Sequence, residues 1–238
     1  MPVHIRAATG DVAAVALLPG DPGRARRIAE RLEGVRQYNE HRGLLGFTGA
    51  YRGRLVSVQT TMMGCPSAAI VCEELAMLGA RTFIRLGTCG AAGPHVRPTD
   101  LIIATASCPL DGTTSQYVDG EPYAPAASFR VVRALAEAAE AAGARHHVGL
   151  IATEDALYTV REGWTERWAG RGVLAQEMEA SAIFTVAALR GLEAGCILVA
   201  SNHAGQHERL PDEELQPAID SMVSVALEAV TALEPKSR

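Results

Sequence analysis

Residues 55–88, LVSVQTTMMGCPSAAIVCEELAMLGARTFIRLGT, give the clearest indication of the fold because they predict a strand, a helix and a second strand in succession. The segments 55–61 and 82–88 are short apolar runs, which are typical of buried strands. Between them, residues 66–79 carry apolar side chains at helical spacing and end at a glycine, a common helix terminator. The apolar face of this helix consists of Ile70, Val71, Leu75 and Leu78. Such an alternation of strands and helices indicates an α/β protein.

The same alternation continues along the rest of the chain. Three more strands and three more helices are predicted, at 101–107, 128–142, 148–153, 177–191, 195–201 and 211–233. Pro217 lies in the last helix and is expected to delay its regular start. We therefore predict an α/β fold, a three-layer α/β/α sandwich around a mixed central β-sheet, with ligands at the strand ends. Residues 1–238 are expected to form one domain with a loose tail at 235–238.

The composition limits the classes of partner. The 238 residues carry a formal net charge of -5 at pH 7, which argues against nucleic-acid binding and against membrane attachment through a basic patch. The five cysteines include no CxxC pair, and neither a signal peptide nor a long apolar span is evident, so we expect a cytoplasmic protein. His203 and His207 have the spacing of helical metal ligands, but Gly205 lies between them and nothing completes the set. No metal ion or organic cofactor is expected.

The sequence LLPGDPGRARRIAERL at residues 17–32 predicts a strand, a tight turn and an arginine-rich helix. A turn that leads directly into a helix N-terminus points backbone N–H groups and the positive end of the helix dipole at one place. Because Arg24 lies one turn into this helix, the segment is suited to hold a small anion near Gly20. Asp21 and Pro22 are also ordinary helix-start residues. A plain strand-to-helix turn with solvated arginines is therefore the alternative.

A second candidate anion site lies in FIRLGTCGA, residues 83–91, where an apolar strand carries Arg85. A charged side chain within a buried strand is unfavourable unless it has a partner. That partner is a core carboxylate in one interpretation. In the other it is an oxyanion, because Thr88 offers a hydroxyl group and the glycines beside it allow close approach of the backbone. Both interpretations stay open at this point.

Several motifs in the same order resemble those of the nucleoside phosphorylases, specifically the hexameric bacterial purine nucleoside phosphorylases and their uridine phosphorylase relatives. The resemblance covers nearly the whole chain and depends on His4, PGDPGRA at 19–25, HRGLLGFTGAYRG at 41–53, RLGTCGA at 85–91, EMEASA at 177–182 and SN at 201–202. It implies that inorganic phosphate is the co-substrate and that the products are a free nucleobase and (deoxy)ribose 1-phosphate. It also implies a homo-oligomer, a hexamer, in which each active site is shared across a dimer.

The resemblance also implies a role for each matching residue. The phosphate site would consist of Gly20, Arg24, Arg85 and Thr88, with Arg42 from the neighbouring subunit. The ribose site would consist of Met63, Met178 and Glu179, with His4 from the neighbouring subunit. The nucleobase site would consist of Cys89, Gly90, Leu157, Glu177 and Asn202. Arg85 and Asn202 are the predicted catalytic residues.

The residue types by themselves support these roles only in part. On the predicted helix 177–191, Glu177 and Glu179 would point roughly 200° apart, so at most one of them would face the site. Taken singly, Glu179 is also an acidic residue of the kind favoured in the first turn of a helix. Met63 and Met178, taken singly, are ordinary core residues.

Asn202 follows the predicted strand 195–201 and departs from the pattern of many hexameric relatives, which have there an aspartic acid that can protonate the purine N7. An asparagine cannot titrate, but its amide can donate a hydrogen bond to the leaving nucleobase. The arginine that often assists the acid is absent near Leu215, and Arg209 is the nearest arginine. We therefore predict a preference for 6-oxopurine nucleosides such as inosine and guanosine over adenosine, since the 6-oxygen can carry negative charge. The alternative is that Asn202 only caps a turn.

Three other functions compete with purine phosphorolysis. PLDGTT at 109–114 is similar to a uridine phosphorylase segment, but residues 157–163 lack the Gln-x-Arg pair that contacts uracil in those enzymes. A hydrolytic nucleosidase of the same superfamily would not need a cluster of three arginines, Arg24, Arg42 and Arg85. A non-catalytic nucleoside-binding protein would have little use for phosphate, sugar and nucleobase groups together.

Overall fold

The computed structural model describes residues 2–158, 161–203, 206 and 208–233, so the predicted tail at 235–238 lies outside the described residues. The strands are β1 (Val15–Pro19), β2 (Glu33–Asn39), β3 (Gly46–Tyr51), β4 (Arg54–Gln59), β5 (Thr82–Ala91), β6 (Leu101–Leu110), β7 (His146–Glu154), β8 (Val173–Glu177) and β9 (Glu193–Ala200). The α-helices are α1 (Pro22–Ala29), α2 (Cys65–Met77), α3 (Gly112–Tyr117), α4 (Phe129–Ala141), α5 (Trp164–Ala169), α6 (Ala180–Leu189) and α7 (Asp212–Ala232).

The strands join into one mixed sheet in the order β2-β3-β4-β1-β5-β8-β7-β6-β9. Strand β9 also pairs with β5, so the strands from β5 to β9 along this order close on themselves as a small barrel. The sheet contains parallel pairs, such as β1 with β5, and antiparallel pairs, such as β5 with β8. The prediction of a mixed central sheet is confirmed. The barrel closure was not predicted, because periodicity identifies strands and not their partners.

Helices cover both faces of the sheet and bury two large apolar cores, and a third, smaller cluster lies around Ala152 beside α5. Helices α2, α3 and α6 pack together on one face, and α4 packs against α7 on the other, where α1 also lies. Phe83 faces the first core, whereas its neighbour Ile84 faces the second, as expected for successive strand residues. The two helix layers agree with the predicted fold. None of the described helices combines the length and the apolar composition needed to cross a membrane.

Most predicted elements agree with the structure to within a few residues, but the predicted helix at 177–191 is wrong at its start. Glu177 is the last residue of β8, and α6 begins only at Ala180. The Glu177 carboxylate accepts hydrogen bonds from the backbone N–H groups of Glu179 and Ala180, which fixes a turn between strand and helix. The expected delay at Pro217 is also wrong, because α7 already begins at Asp212.

The strands that carry the predicted site residues end close together. Strands β1 and β9 both run parallel to β5, so the residues that follow them lie at the carboxyl end of β5. Strand β8 pairs with β5 at Gly90 and Ala91, beyond the last residue of β5 that pairs with β1. Four strands therefore meet at one edge, the place where α/β sheets commonly bind ligands.

A buried carboxylate in α2 holds the N-terminal segment. Glu74 accepts hydrogen bonds from the backbone N–H groups of Val3, His4 and Ile5, and its Oε1 lies 2.8 Å from the His4 ring Nδ1. Burial alone would raise the pKa of Glu74, but these donors outweigh it and hold the pKa below its ordinary value. The carboxylate form therefore stabilises the docked N-terminus.

We expect the stability that Glu74 contributes to be lost in acid. Because the pKa of Glu74 is lower in the folded than in the unfolded chain, the contribution is present above the ordinary value of 4.5 and disappears as the pH falls through the folded value. Glu74→Gln should lower the free energy of unfolding at neutral pH by about 2 kcal/mol and remove this part of the pH dependence. Denaturant unfolding across the acidic range measures both effects. Glu73→Gln, on the same helix, is the control, and equal losses in the two variants would contradict the prediction.

Candidate active site

The loop after β1 forms the first wall of the site. Asp21 caps α1, because its carboxylate accepts a hydrogen bond from the Arg24 backbone N–H at 2.5 Å. A Cβ atom at Gly20 would lie 2.9 Å from the Met62 carbonyl oxygen, so a side chain is excluded there. The turn therefore brings the N-terminus of α1, with its positive dipole end, against the segment that follows β4.

Arg24 is buried in this wall, with 7% of its surface exposed. One terminal nitrogen donates to the Leu86 carbonyl oxygen at 3.0 Å, whereas Nε has no acceptor among the described residues. Burial, together with the positive charge of Arg85, lowers the pKa of Arg24 to about 10 against the attraction of Asp21. Arg24 is thus a buried cation beside a second cation, which is an arrangement that an anion would stabilise.

Arg85 has two carboxylate partners. Its Nε donates to Glu177 Oε2 at 2.7 Å, and a terminal nitrogen contacts Glu179 Oε2. Burial alone would lower the pKa of Arg85, but the Glu179 and Glu177 carboxylates raise it above its ordinary value. Of the two interpretations left open by the sequence, the structure shows the buried salt bridge, and phosphate binding by Arg85 stays a prediction. We refer to Arg24, Arg85, Glu177 and Glu179 as the arginine–glutamate cluster.

Glu177 is surrounded by donors from the protein itself. Besides Arg85, its buried carboxylate accepts hydrogen bonds from the Thr153 hydroxyl and from the backbone N–H groups of Glu179 and Ala180. Glu177 and Glu179 therefore both contact Arg85, and the expectation that only one of them could face the site is wrong. That expectation assumed a helix through both residues, whereas the chain turns there between β8 and α6.

Glu179 links Arg85 to the segment before α2. Its Oε1 accepts a hydrogen bond from the Gly64 backbone N–H at 2.6 Å, while Oε2 contacts Arg85. Burial raises the pKa of Glu179 against the attraction of Arg85, and the charge of Glu177 adds to this effect. A hydrogen-bond donor from a ligand would therefore meet a strong acceptor at Glu179.

The two predicted ribose methionines flank this contact. Met63 directly precedes Gly64 and is 81% exposed, so the interpretation of Met63 as a core residue is wrong. Met178 is half-buried, and its carbonyl oxygen accepts a hydrogen bond from the Cys65 thiol at 3.3 Å. Met63 is therefore adjacent in the chain to Gly64, which bonds to Glu179, and Met178 is adjacent to Glu179 itself.

His4 and Arg42 line a separate groove of about 340 Å³. The other lining residues are Leu44, Met62, Ser67, Ile70 and Val71. Arg42 is exposed and lies on a short 3-10 turn with a positive φ of 58°. The His4 ring is paired with Glu74. In the described part of the chain, neither side chain bonds to the arginine–glutamate cluster.

Asn202 follows β9 and lies beside Gly90 of β5. Its Oδ1 accepts a hydrogen bond from the Ala91 backbone N–H at 3.0 Å, and its Nδ2 donates to the Gln206 carbonyl oxygen. Asn202 therefore holds a turn, as the alternative interpretation proposed. The Asn202 Nδ2 group carries two hydrogens. One is donated to Gln206, and the other has no acceptor within the described residues. A Cβ atom at Gly90 would lie 3.8 Å from Asn202 Oδ1, so the glycine leaves space in front of the amide.

The other predicted nucleobase and phosphate residues differ in accessibility. Cys89 is buried, its thiol donates to the Val199 carbonyl oxygen at 3.5 Å, and burial raises its pKa. Thr88 is half-buried, and Leu157 is 65% exposed. The stretch that contains Leu157 includes residues 159 and 160, which lie outside the described residues.

The structure also describes the two positions considered for an assisting arginine, Leu215 and Arg209. Leu215 is buried in α7, whereas Arg209 lies at the surface and pairs with Asp212 at 3.0 Å. The positive charge of Arg209 contributes to the lowered pKa of Arg24. His207, one of the two histidines considered as metal ligands, lies outside the described residues.

Three residues near the cluster were missed from the sequence, namely Gly64, Thr153 and Gln176. Gly64 binds Glu179 through its backbone, and Thr153 binds Glu177 through its hydroxyl. Gln176 pairs with Gly90 across two strands. The sequence indicated them only through their position, since each lies near a strand end or before a helix start, close to the converging strand ends.

A family model described as the phosphorylase superfamily matches residues 14–233. The chain therefore belongs to the phosphorylase superfamily, and the resemblance stated from its motifs is confirmed at this level. The match includes every described strand and helix.

Individual relatives match over nearly their whole length. The chain is 45% identical over 231 residues to a protein of Geobacillus kaustophilus (strain HTA426) named Purine nucleoside phosphorylase DeoD-type, with 96% of this chain and 98% of the relative covered. Proteins of the same name from Jannaschia sp. (strain CCS1) and Roseobacter denitrificans (strain ATCC 33942 / OCh 114) are also similar. The first is 43% identical, with 96% of this chain and 99% of the relative covered. The second is 40% identical, with 98% and 100% covered.

Proposed function

We propose that this chain catalyses the phosphorolysis of purine nucleosides, with 6-oxopurine nucleosides preferred, and releases a free nucleobase and (deoxy)ribose 1-phosphate. The observation that carries the proposal is Arg24, a buried guanidinium with an unpartnered Nε beside Arg85 and the N-terminus of α1. Inorganic phosphate is the anion that would stabilise this arrangement. The names of the three relatives support the same reaction.

In the proposed reaction, a phosphate oxygen forms a bond to ribose C1′ while the bond from C1′ to the nucleobase nitrogen breaks. The electron pair of that bond leaves with the nucleobase. Phosphate is held by Gly20, Arg24, Arg85 and Thr88, so that its charge is positioned before the reaction. Glu179 accepts hydrogen bonds from the ribose hydroxyls, and Met63 and Met178 pack against the sugar.

The nucleobase lies over Gly90 and contacts Asn202, Cys89 and Leu157. The second Nδ2 hydrogen of Asn202 donates to the nucleobase as negative charge develops on it. We assign Glu177 a positioning role, because its carboxylate already accepts hydrogen bonds from Arg85, Thr153 and two backbone N–H groups. It orients Arg85 and supports the turn that carries Glu179.

We also propose that the protein works as a homo-oligomer, a hexamer, in which each active site is shared across a dimer. The support is that His4 and Arg42 line a groove of their own, available to a neighbouring subunit. A cytoplasmic location is consistent with the five cysteines, which are all free. The reaction uses phosphate as co-substrate and requires no metal ion or organic cofactor.

We expect the wild-type protein, with phosphate present, to use inosine with a kcat/KM at least about tenfold higher than that for adenosine. Adenine lacks the 6-oxygen and leaves poorly unless N7 is protonated, which Asn202 cannot do. Asn202→Asp should therefore raise the kcat/KM for adenosine by about 100-fold, the typical effect of a general acid. Steady-state rates with inosine, adenosine and uridine measure this, and uridine should remain a poor substrate for both proteins. Equal use of inosine and adenosine by the wild type would contradict the preference.

A further inference from the structure

Gln176 lies on the same side of the sheet as Asn202, with Gly90 between them. Gln176 and Gly90 are directly opposite each other in the antiparallel β5–β8 pair, and opposite residues in such a pair project to the same face. The face that a Cβ atom of Gly90 would occupy is also the face of the Asn202 amide, at 3.8 Å for Oδ1 and 3.9 Å for Nδ2. The Asn202 amide and the backbone of Gln176, whose carbonyl oxygen would lie 4.0 Å from that Cβ atom, therefore border the open space above Gly90, on the face to which the Gln176 side chain projects.

The Gln176 amide has one partnered end and one unpartnered end. Its Oε1 accepts a hydrogen bond from the Thr165 hydroxyl of α5 at 3.4 Å, which orients the amide. Its Nε2 is shielded from solvent and has no acceptor among the described residues. A buried amide nitrogen without an acceptor is unfavourable, so an acceptor supplied by a ligand would complete the site.

We propose that Gln176 determines nucleobase specificity by donating a hydrogen bond from Nε2 to a carbonyl oxygen of a 6-oxopurine. This inference rests on the proposed function, because it places a purine over Gly90. Asn202 and Gln176 then present two neutral donors to the nucleobase. Both hydrogen bonds strengthen as negative charge develops on the nucleobase during bond cleavage. In adenine, an exocyclic amino group replaces the oxygen. Because this amino group is itself a donor and would face the Nε2 donor of Gln176, adenine is disfavoured.

The test compares Gln176→Met, which keeps the length of the side chain and removes the donor, with Gln37→Met on exposed strand β2. We expect Gln176→Met to lower kcat/KM for inosine by about tenfold or more, as for the loss of a hydrogen bond in a buried site. The kcat/KM for adenosine should change less than about threefold, the KM for phosphate should stay unchanged and the Tm should not fall. Gln37→Met should match the wild type.

A role for Gln176 that is only structural predicts another result. Its contact with Thr165 would then merely attach α5 to the sheet, and Gln176→Met would reduce inosine and adenosine turnover equally and lower the Tm. That outcome would overturn the proposal. Thr165→Val provides a second variant: it removes the contact that orients the amide, and we expect a smaller loss confined to inosine.

Direct binding separates this inference from the proposed function. Calorimetric titration of hypoxanthine and of adenine, with phosphate present, measures nucleobase affinity without turnover. Weaker hypoxanthine binding by Gln176→Met, with adenine binding unchanged, supports the role of Gln176 even if phosphorolysis is not observed. A wild type that cleaves inosine, together with a Gln176→Met variant equal to it in rate and in hypoxanthine affinity, would leave the reaction intact and refute the inference.

Discussion

Replacing Arg24 by methionine is expected to lower kcat/KM for phosphate by about 100-fold or more without lowering the Tm. The guanidinium is buried and has an unpartnered Nε, and its pKa is lowered by burial and by Arg85. Its charge therefore costs stability in the absence of an anion. Methionine fills similar space without the charge, so the free energy of unfolding should stay the same or rise.

Arg26→Met is the matched control because Arg26 lies on the same helix and is exposed. It should leave both the phosphate kinetics and the Tm near the wild-type values. Added phosphate should raise the Tm of the wild type and of Arg26→Met but not that of Arg24→Met, since only a bound anion stabilises the folded state. A strongly destabilised Arg24→Met with ordinary phosphate kinetics would show that Arg24 serves the fold and not the anion.

Replacing Glu177 by glutamine is expected to lower the free energy of unfolding by about 3–5 kcal/mol, the usual cost of breaking a buried ion pair. The variant loses the charge that balances Arg85. Its amide NH₂ group would also face the backbone N–H groups that now donate to the carboxylate, so that donor would meet donor. Because Arg85 and the Glu179 turn are then no longer fixed, kcat/KM for inosine and for phosphate should both fall by about 100-fold. Denaturant unfolding and steady-state kinetics below the melting transition measure these effects.

Glu137→Gln is the control for this substitution, since Glu137 is exposed on α4 and pairs with Arg133 at the surface. Surface pairs of this kind contribute about 0–1 kcal/mol. The resemblance implied that Glu177 contacts the nucleobase. If Glu177→Gln keeps its stability and its KM for phosphate but loses discrimination between inosine and adenosine, that contact is right and the positioning role is wrong.

The sequence was sufficient for most of the strands and helices that it predicted, because burial imposes periodicity on each element separately, but it did not predict β2, β3, β8, α3 or α5. It also predicted the turn at Gly20 and the helix start before Arg24, since a turn before a helix start leaves a signal in a single short segment. The structure also explains why a glycine is needed at position 20. A Cβ atom there would lie only 2.9 Å from the Met62 carbonyl oxygen. That contact joins two segments far apart in the chain and leaves no mark on local pattern.

The errors arose where one residue serves two elements. Glu177 ends a strand and also caps the following helix through its own side chain, so the apolar pattern of α6 was extended too far back. Arg85 was correctly recognised as a charge that needs a partner, but Glu177 and Glu179 could not be named as partners once both were placed on a helix. Closure of β9 onto β5, which places Asn202 beside Gly90, depends on strand pairing that periodicity does not encode.

We propose above all that the anion beside Arg24 and Arg85 is a reacting co-substrate. The most direct measurement is the identity of the pentose released from inosine with and without inorganic phosphate, followed by phosphorus NMR. We predict that hypoxanthine appears only when phosphate is present and that ribose 1-phosphate forms in equal amount. Hypoxanthine released at the same rate without phosphate, together with free ribose, would show a hydrolytic nucleosidase and exclude phosphorolysis.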